Sequence, residues 1–186
     1  MILSSHNEWG RLRSVVVGRA DNARVPVDDI SLRAINYAGA RPHGVVHGPY
    51  PATVIDEANE DLDYLCDVFV RAGVTVYRPE IPDTAVAHGA GRWRSDGYYA
   101  FCPRDGLLVV GDTVIEAPMV LRARYTDAFP YRRILQAAMQ DGARWLAAPR
   151  PQLTDEGYDE AAGETFGMTI VRFVLLFCVL CVHFVT

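Results

Sequence analysis

The 186-residue chain contains no lysine; all 18 of its basic side chains are arginine. That absence excludes a Schiff-base lysine and the phosphate-binding lysine of a Walker loop. Cysteine is scarce too. Four unevenly placed thiols do not make the disulfide framework of a secreted module, so reduced cysteines are expected. The opening residues, Met1-Ile2-Leu3-Ser4-Ser5-His6-Asn7-Glu8-Trp9, lack the basic and apolar stretches of a secretory signal, and a cytoplasmic location is expected. Concentrated positive charge is missing as well. A net charge of -5 argues against nucleic acid as the main partner and leaves small molecules or proteins. The apolar stretch 169–186 falls short of the roughly 20 residues a spanning helix needs, and Arg172 and His183 interrupt it. A membrane is therefore not the expected partner.

What is present is apolar bulk. Half of the residues are hydrophobic, enough for one domain with a substantial core. Arg13-Ser14-Val15-Val16-Val17-Gly18 reads as a buried strand closed by glycine. From Ala20 to Tyr50 no period is visible, and Pro26, Gly39, Pro42, Gly44 and Gly48 break the chain, so this stretch reads as a long loop containing His43 and His47. Between Pro51 and Gly73 the spacing of Ile55, Ala58, Leu62, Leu65, Cys66 and Phe69 predicts an amphipathic helix, with Thr53 able to cap its start and Gly73 to end it. Its acids, Asp56, Glu57, Glu60, Asp61, Asp63 and Asp67, read as a solvated face rather than catalytic carboxylates. Val74–Tyr77 follows as a strand.

A polar loop containing His88-Gly89-Ala90-Gly91 is expected next, then a short aromatic strand from Tyr98 that ends on Asp105. A hairpin to about Glu116 follows, turning at Gly111-Asp112. Met119 to Met139 is helical in character, interrupted by Pro130 and stopped by Gly142, and Arg144–Ala147 forms another strand. Strand-helix-strand material thus occurs twice. The pair Cys178-x-x-Cys181 lies in an apolar run with no second pair and no polar shell, so neither zinc nor redox chemistry is expected there. No metal-ligand spacing and no dinucleotide loop appear, and no cofactor is expected.

Asp105 is the candidate site residue. A carboxylate at a strand end offers two oxygens to a planar guanidinium fork, and such charge-assisted bonds are strong and orienting. A surface ion pair or a turn cap is the alternative reading. Arg104 beside it can hold a neighbouring acid or brace the loop.

Several blocks then resemble the amidinotransferases. They are Asn7-Glu8-Trp9 with Val15-Val16-Val17-Gly18-Arg19-Ala20, the run Val54–Leu62, Trp93–Tyr98, Cys102-Pro103-Arg104-Asp105 and Ile115–Met119. Arg122–Tyr125, Gly142–Trp145, Ala148–Pro151 and Leu153-Thr154-Asp155 continue the series in the family's order, so that residues 6 to 160 are covered. The blocks are most similar to the inosamine-phosphate amidinotransferases of aminocyclitol antibiotic pathways and to glycine amidinotransferase of the creatine pathway.

The resemblance implies an α/β fold, the five-bladed α/β propeller of the guanidino-group-modifying (pentein) superfamily, with about two blades present. It implies transfer of the amidino group of L-arginine to an amine acceptor, glycine or an aminocyclitol such as inosamine phosphate, through an amidino-cysteine. A histidine serves as acid and base and an aspartate orients it. By position, the acid that grips the substrate guanidinium is Asp105. The resemblance also admits a homodimer for the full-length family.

The departure lies at the end of the chain. The family's orienting aspartate, histidine and nucleophilic cysteine all follow the Leu-Thr-Asp block, and residues 161–186 do not match them. Cys178, Cys181 and His183 lack the expected setting, so no catalytic residue is assigned. Residues 1–160 therefore read as the first part of an amidinotransferase domain, and 161–186 as a divergent tail arising from truncation or a changed reading frame. Alone, the chain is expected to be inactive. A non-catalytic guanidine-binding or interaction module and a membrane-associated fragment are the alternatives.

Overall fold

The β-branched run near the start forms β1 (Leu12–Val16). The structure is a computed structural model that describes residues 3–7, 9–35, 47–83, 85–97, 99–159 and, as backbone only, 182–185. Gly18 closes the strand because a Cβ there would collide with the backbone of Phe101. The isolated bridge between Arg19 and Ala100 marks the same close approach.

The stretch expected to be one long loop is partly built. It contains β2 (Arg24–Val25), α1 (Ile30–Ile35) and β3 (Gly48–Pro49), and β2 pairs antiparallel with β3. Elements this short leave no readable period. Asp29 accepts the Leu32 N–H at 3.0 Å and the Ser31 hydroxyl at 2.6 Å, which starts α1 locally. His43 lies outside the described residues.

The predicted helix is α2 (Ala52–Arg71), followed by β4 (Thr75–Tyr77). Thr53 does not cap it; Pro51 occupies the cap position with no side-chain bond, its ring holding φ at -52°. Gly73, at φ 77°, ends it as expected. Val74 N–H bonds Phe69 C=O and Gly73 N–H bonds Val70 C=O, the paired bonds of a Schellman motif. The predicted stripe is the half-buried one: Leu62, Leu65, Cys66 and Phe69 pack on Val15, Val17 and Val74. The six acids are all exposed. β4 lies parallel to β1, with Val15 opposite Val76 and Val16 opposite Tyr77.

Two further expectations are corrected. His88-Gly89-Ala90 is not loop but β5 (His88–Ala90), paired antiparallel with β6 (Trp93–Ser95). Three-residue strands are too short to show alternation. From Tyr99 on, the aromatic stretch leading to Asp105 is not a strand; Tyr98, its expected first residue, lies outside the described residues. Ala100 makes only an isolated bridge, and Asp105 sits in the single turn α3 (Pro103–Gly106), with proline in its first turn.

The hairpin is as predicted: β7 (Leu107–Val110) pairs antiparallel with β8 (Thr113–Glu116) through Gly111 at φ 58°. Two 3₁₀ turns, Arg122–Arg124 and Phe129–Tyr131, precede α4 (Arg132–Gln140). Pro130 therefore introduces the helix rather than interrupting one, since a first turn needs no proline N–H. Gly142, at φ 100°, ends α4 with the same pair of bonds as α2, Ala143 to Ala138 and Gly142 to Met139. β9 (Arg144–Ala147) then runs parallel to β8. The core here joins Leu107, Val114, Tyr131 and Leu135 to Val16 and Leu3, with Val109, Trp145 and Tyr77 packed against it.

The chain is therefore α/β, and a strand-helix-strand unit is present twice. At the tail, β10 (Val182–Val185) pairs antiparallel with β1, giving the order β10-β1-β4 to match β7-β8-β9. The rest of the predicted tail, 161–181 and Thr186, lies outside the described residues, Cys178 and Cys181 included. No helix among the described residues is long and apolar enough to cross a membrane.

Candidate guanidinium site

Asp105 is held by local structure on both sides. Its N–H bonds the Cys102 carbonyl at 3.3 Å, and the Gly106 carbonyl accepts the Ala117 N–H at 2.9 Å, so α3 is tied to the end of β8. Cys102 and Pro103 are buried beneath the turn, while the Asp105 side chain keeps 30% of its exposure. Carboxylate access is therefore retained on a fixed platform.

A guanidinium already meets this carboxylate, and it belongs to the chain. Arg124 Nη1 donates to Asp105 Oδ2 at 2.9 Å, while Arg124 Nε donates to Asp127 Oδ2 at 2.5 Å. The Arg124 side chain is only 9% exposed and lies over the Tyr99 ring, 5.1 Å from its centroid. Burial opposes its charge. Asp127, Tyr99 and Asp105 together outweigh that cost and raise its pKa.

Two acids sharing one buried guanidinium leave a local excess of negative charge. Burial accordingly pushes Asp127 up to about 7, against the lowering effect of Arg124 and with a further push from Asp105. Asp127 also lines a shallow cleft together with Asp83, His88, Tyr99, Thr126 and Pro130. Asp105 does not line that cleft; it meets Arg124 at Nη1, whereas Asp127 meets it at Nε. Tyr131 braces the segment below by donating its hydroxyl to the Ala100 carbonyl, and burial raises its pKa well above the ordinary phenol value.

Around this core the loops are pinned by arginines. Arg122 donates to the Leu153 carbonyl (2.6 and 3.0 Å) and to Asp155 (2.5 Å), stacked between Trp93 and Tyr158. Arg150 pairs with the buried Glu116 and donates to the Tyr125 carbonyl. Since Lys carries no planar fork, the all-arginine composition suits these multidentate roles.

The other reactive side chains have partners of their own. Cys66 lies in the α2 core with Arg78 Nη1 2.6 Å from its sulfur, and His88 Nε2 is 2.9 Å from the Arg122 carbonyl. His47 meets the buried Asp96 at 2.8 Å, but Arg24 shares the same carboxylate oxygen at 3.0 Å. Burial pushes Asp96 up, and the bonds from His47 and the Val27 N–H with the Arg24 charge more than reverse it, leaving its pKa lowered. Among the described residues no group of three His, Cys, Asp or Glu could hold a metal ion. Sequence reasoning singled out Asp105 but gave no role to Arg124, Tyr99 or Asp127. The i,i+3 spacing of Arg124 and Asp127 was the available signal.

No family model matches the chain. Relatives do. It is 45% identical to inosamine-phosphate amidinotransferase 1 of Streptomyces glaucescens over 87% of its own length and 47% of the relative's. It is 40% identical to the mitochondrial glycine amidinotransferase of Xenopus tropicalis, covering 84% of this chain and 37% of that one. Among solved structures, the inosamine-phosphate amidinotransferase StrB1 from Streptomyces griseus superposes with a TM-score of 0.82 at 42% identity, over 86% of this chain and 46% of that one. SxtG, an amidinotransferase of Microseira wollei in a saxitoxin biosynthetic pathway, gives 0.76 at 38% identity, over 86% and 45%. The chain spans about half the length, or less, of the relatives it matches. With its blocks in the family's order and its backbone following that of a solved amidinotransferase, the chain corresponds to part of an amidinotransferase, over about 85% of its own length.

Proposed function

We propose that the chain is the guanidinium-binding part of an enzyme that moves the amidino group of L-arginine to an amine through an amidino-cysteine. One observation carries the reading: Asp105, on its fixed turn, holds a guanidinium at 2.9 Å while its side chain remains 30% exposed. A carboxylate that is both oriented and accessible suits a planar cation. In this reading the substrate engages the accessible side of Asp105 while Arg124 and Asp127 keep the carboxylate aimed. The two strand-helix-strand units are two blades of the five-bladed propeller of the superfamily.

The acceptor amine in this reading is glycine or an aminocyclitol, the substrates for which similar proteins are named. The nucleophile and its acid-base partner belong to the part of the family's length that the chain does not span, so the 186 residues alone bind without turning over. Ornithine release from arginine, with and without added amine, tests this on protein of verified intact mass. No release is expected, and robust turnover would contradict it. A purely guanidine-binding module is the second reading, favoured by the guanidinium of Arg124 that Asp105 already holds at 2.9 Å. Activity gained when the remaining half of a relative is added decides for the transferase.

A further inference from the structure

The shallow cleft beside Arg124 gathers polar groups that the Asp105 contact leaves unused. Asp83, from the loop after β4, and His88 of β5 line one part of it, and Thr126 and Asp127, from between the two 3₁₀ turns, line another. Asp127 is only 11% exposed, yet just one of its oxygens is engaged. Oδ2 takes the Arg124 Nε–H at 2.5 Å, and among the described residues nothing donates to Oδ1, which is not sealed from solvent either. Buried carboxylates are ordinarily answered by donors. Burial holds the Asp127 carboxyl up to about 7 in spite of Arg124, a further sign that this acid lacks a second cation.

The neighbouring groups are acceptors as well. Asp83 is exposed and spends one oxygen on the Ala85 N–H at 2.9 Å, keeping the other. His88 Nε2 lies 2.9 Å from the Arg122 carbonyl, which can only accept, so Nε2 carries the proton and Nδ1 of the neutral ring is an acceptor. The Thr126 hydroxyl accepts or donates as its guest requires. In a chain with 18 arginines, none lines this cleft among the described residues. A concave surface with two carboxylates and no guanidinium attracts positive charge and repels negative.

We propose that this cleft binds the primary ammonium group of a small amine that carries no acidic group. The donor geometry decides among cations. A guanidinium fork is best held by both oxygens of one carboxylate, and Asp127 has a single oxygen to give. A metal ion lacks its ligands, since among the described residues no group of three His, Cys, Asp or Glu could hold one. An ammonium is a compact charge with three donors, and it takes single acceptors from separate groups, here Asp127 Oδ1, Asp83 and the Thr126 hydroxyl. A carboxylate or phosphate on the same molecule would meet two acids and no arginine. Amino alcohols and diamines therefore fit, whereas amino acids and phosphorylated amines do not. The site is distinct from the Asp105 contact and does not rest on amidino transfer.

Calorimetric titration of the 186-residue chain with ethanolamine, glycine and O-phosphoethanolamine tests this, because the three share an ammonium and differ in the acid they carry. Ethanolamine should bind saturably, and the other two roughly tenfold more weakly or not at all. Asp127→Asn should weaken ethanolamine by about tenfold or more, the worth of a buried charge-assisted bond. Asp83→Asn, at an exposed carboxylate that the fold does not need, should weaken it about two- to fivefold; circular dichroism reports the fold of each variant. Asp105→Asn should leave ethanolamine affinity undiminished whatever it does to arginine, so the two readings fail separately. No ethanolamine binding, glycine bound as tightly, or affinity indifferent to both cleft variants would each overturn the proposal. So would a loss in Asp105→Asn as large as that in Asp127→Asn, which would mean one shared site.

Discussion

Replacing Asp127 by asparagine should change how stability depends on pH, in a direction opposite to that of an ordinary salt-bridged acid. Asp127 is buried beside Arg124, which also serves Asp105, and its pKa is raised from 3.8 to about 7. A folded-state pKa above the unfolded one means that the folded protein takes up a proton that the unfolded chain does not. The penalty is therefore fully present above pH 7, shrinks as pH falls through 7, and is gone below about 4. The shift corresponds to on the order of 4 kcal/mol at 1.36 kcal/mol per unit, an upper bound for a group coupled to a neighbouring charge. Urea unfolding of wild type and Asp127→Asn at pH 5 and 7.5 measures it, because the other acids titrate alike in both and cancel in the difference. Wild type should gain on the variant by about 1–3 kcal/mol as pH drops from 7.5 to 5. Identical pH profiles, or a wild type that loses ground to the variant on acidification, would refute the account of two carboxylates around one buried guanidinium.

Other perturbations follow from packing and backbone. Leu135→Ala removes a side chain only 2% exposed at the centre of the larger core and should cost about 2–5 kcal/mol in chemical denaturation; a cost below 1 would show that core to be misplaced. Gly73→Ala meets no atom and bears only the left-handed backbone, roughly 1 kcal/mol, whereas Gly18→Ala meets the Phe101 backbone and should cost clearly more. Equal costs would deny the close approach of those segments. Arg122→Met loses the bonds to Leu153 and Asp155, so limited proteolysis should cut between 150 and 156 faster than in wild type. An unchanged cleavage rate would mean that another contact holds the loop.

Legibility from sequence tracked the length and locality of each feature. The 20-residue α2 repeats its stripe five times, so both its buried side and its acidic side could be read, and the glycines ending α2 and α4 marked positive φ directly. The hairpin β7–β8 was legible because glycine punctuates two β-branched runs. By contrast, Tyr99, Ala100 and Phe101 have strand propensity without strand partners, and propensity yields to tertiary placement when the segment is pinned by Tyr131 and the backbone beside Gly18. The strands β5 and β6 were too short for a period. Asp105 was found by chemistry, yet its partner lies 19 residues away and is selected by folding, which no local pattern encodes.

The central claim is that Asp105 grips a guanidinium by its charge. Calorimetric titration of the intact chain with L-arginine and with L-citrulline, its uncharged counterpart, tests this directly in wild type and Asp105→Asn. Arginine should bind wild type saturably, citrulline should not, and the variant should lose roughly 10–100-fold in affinity, the worth of a charge-assisted pair at about 1.5–3 kcal/mol. Equal binding of the two ligands, or arginine affinity unchanged in Asp105→Asn, would contradict it.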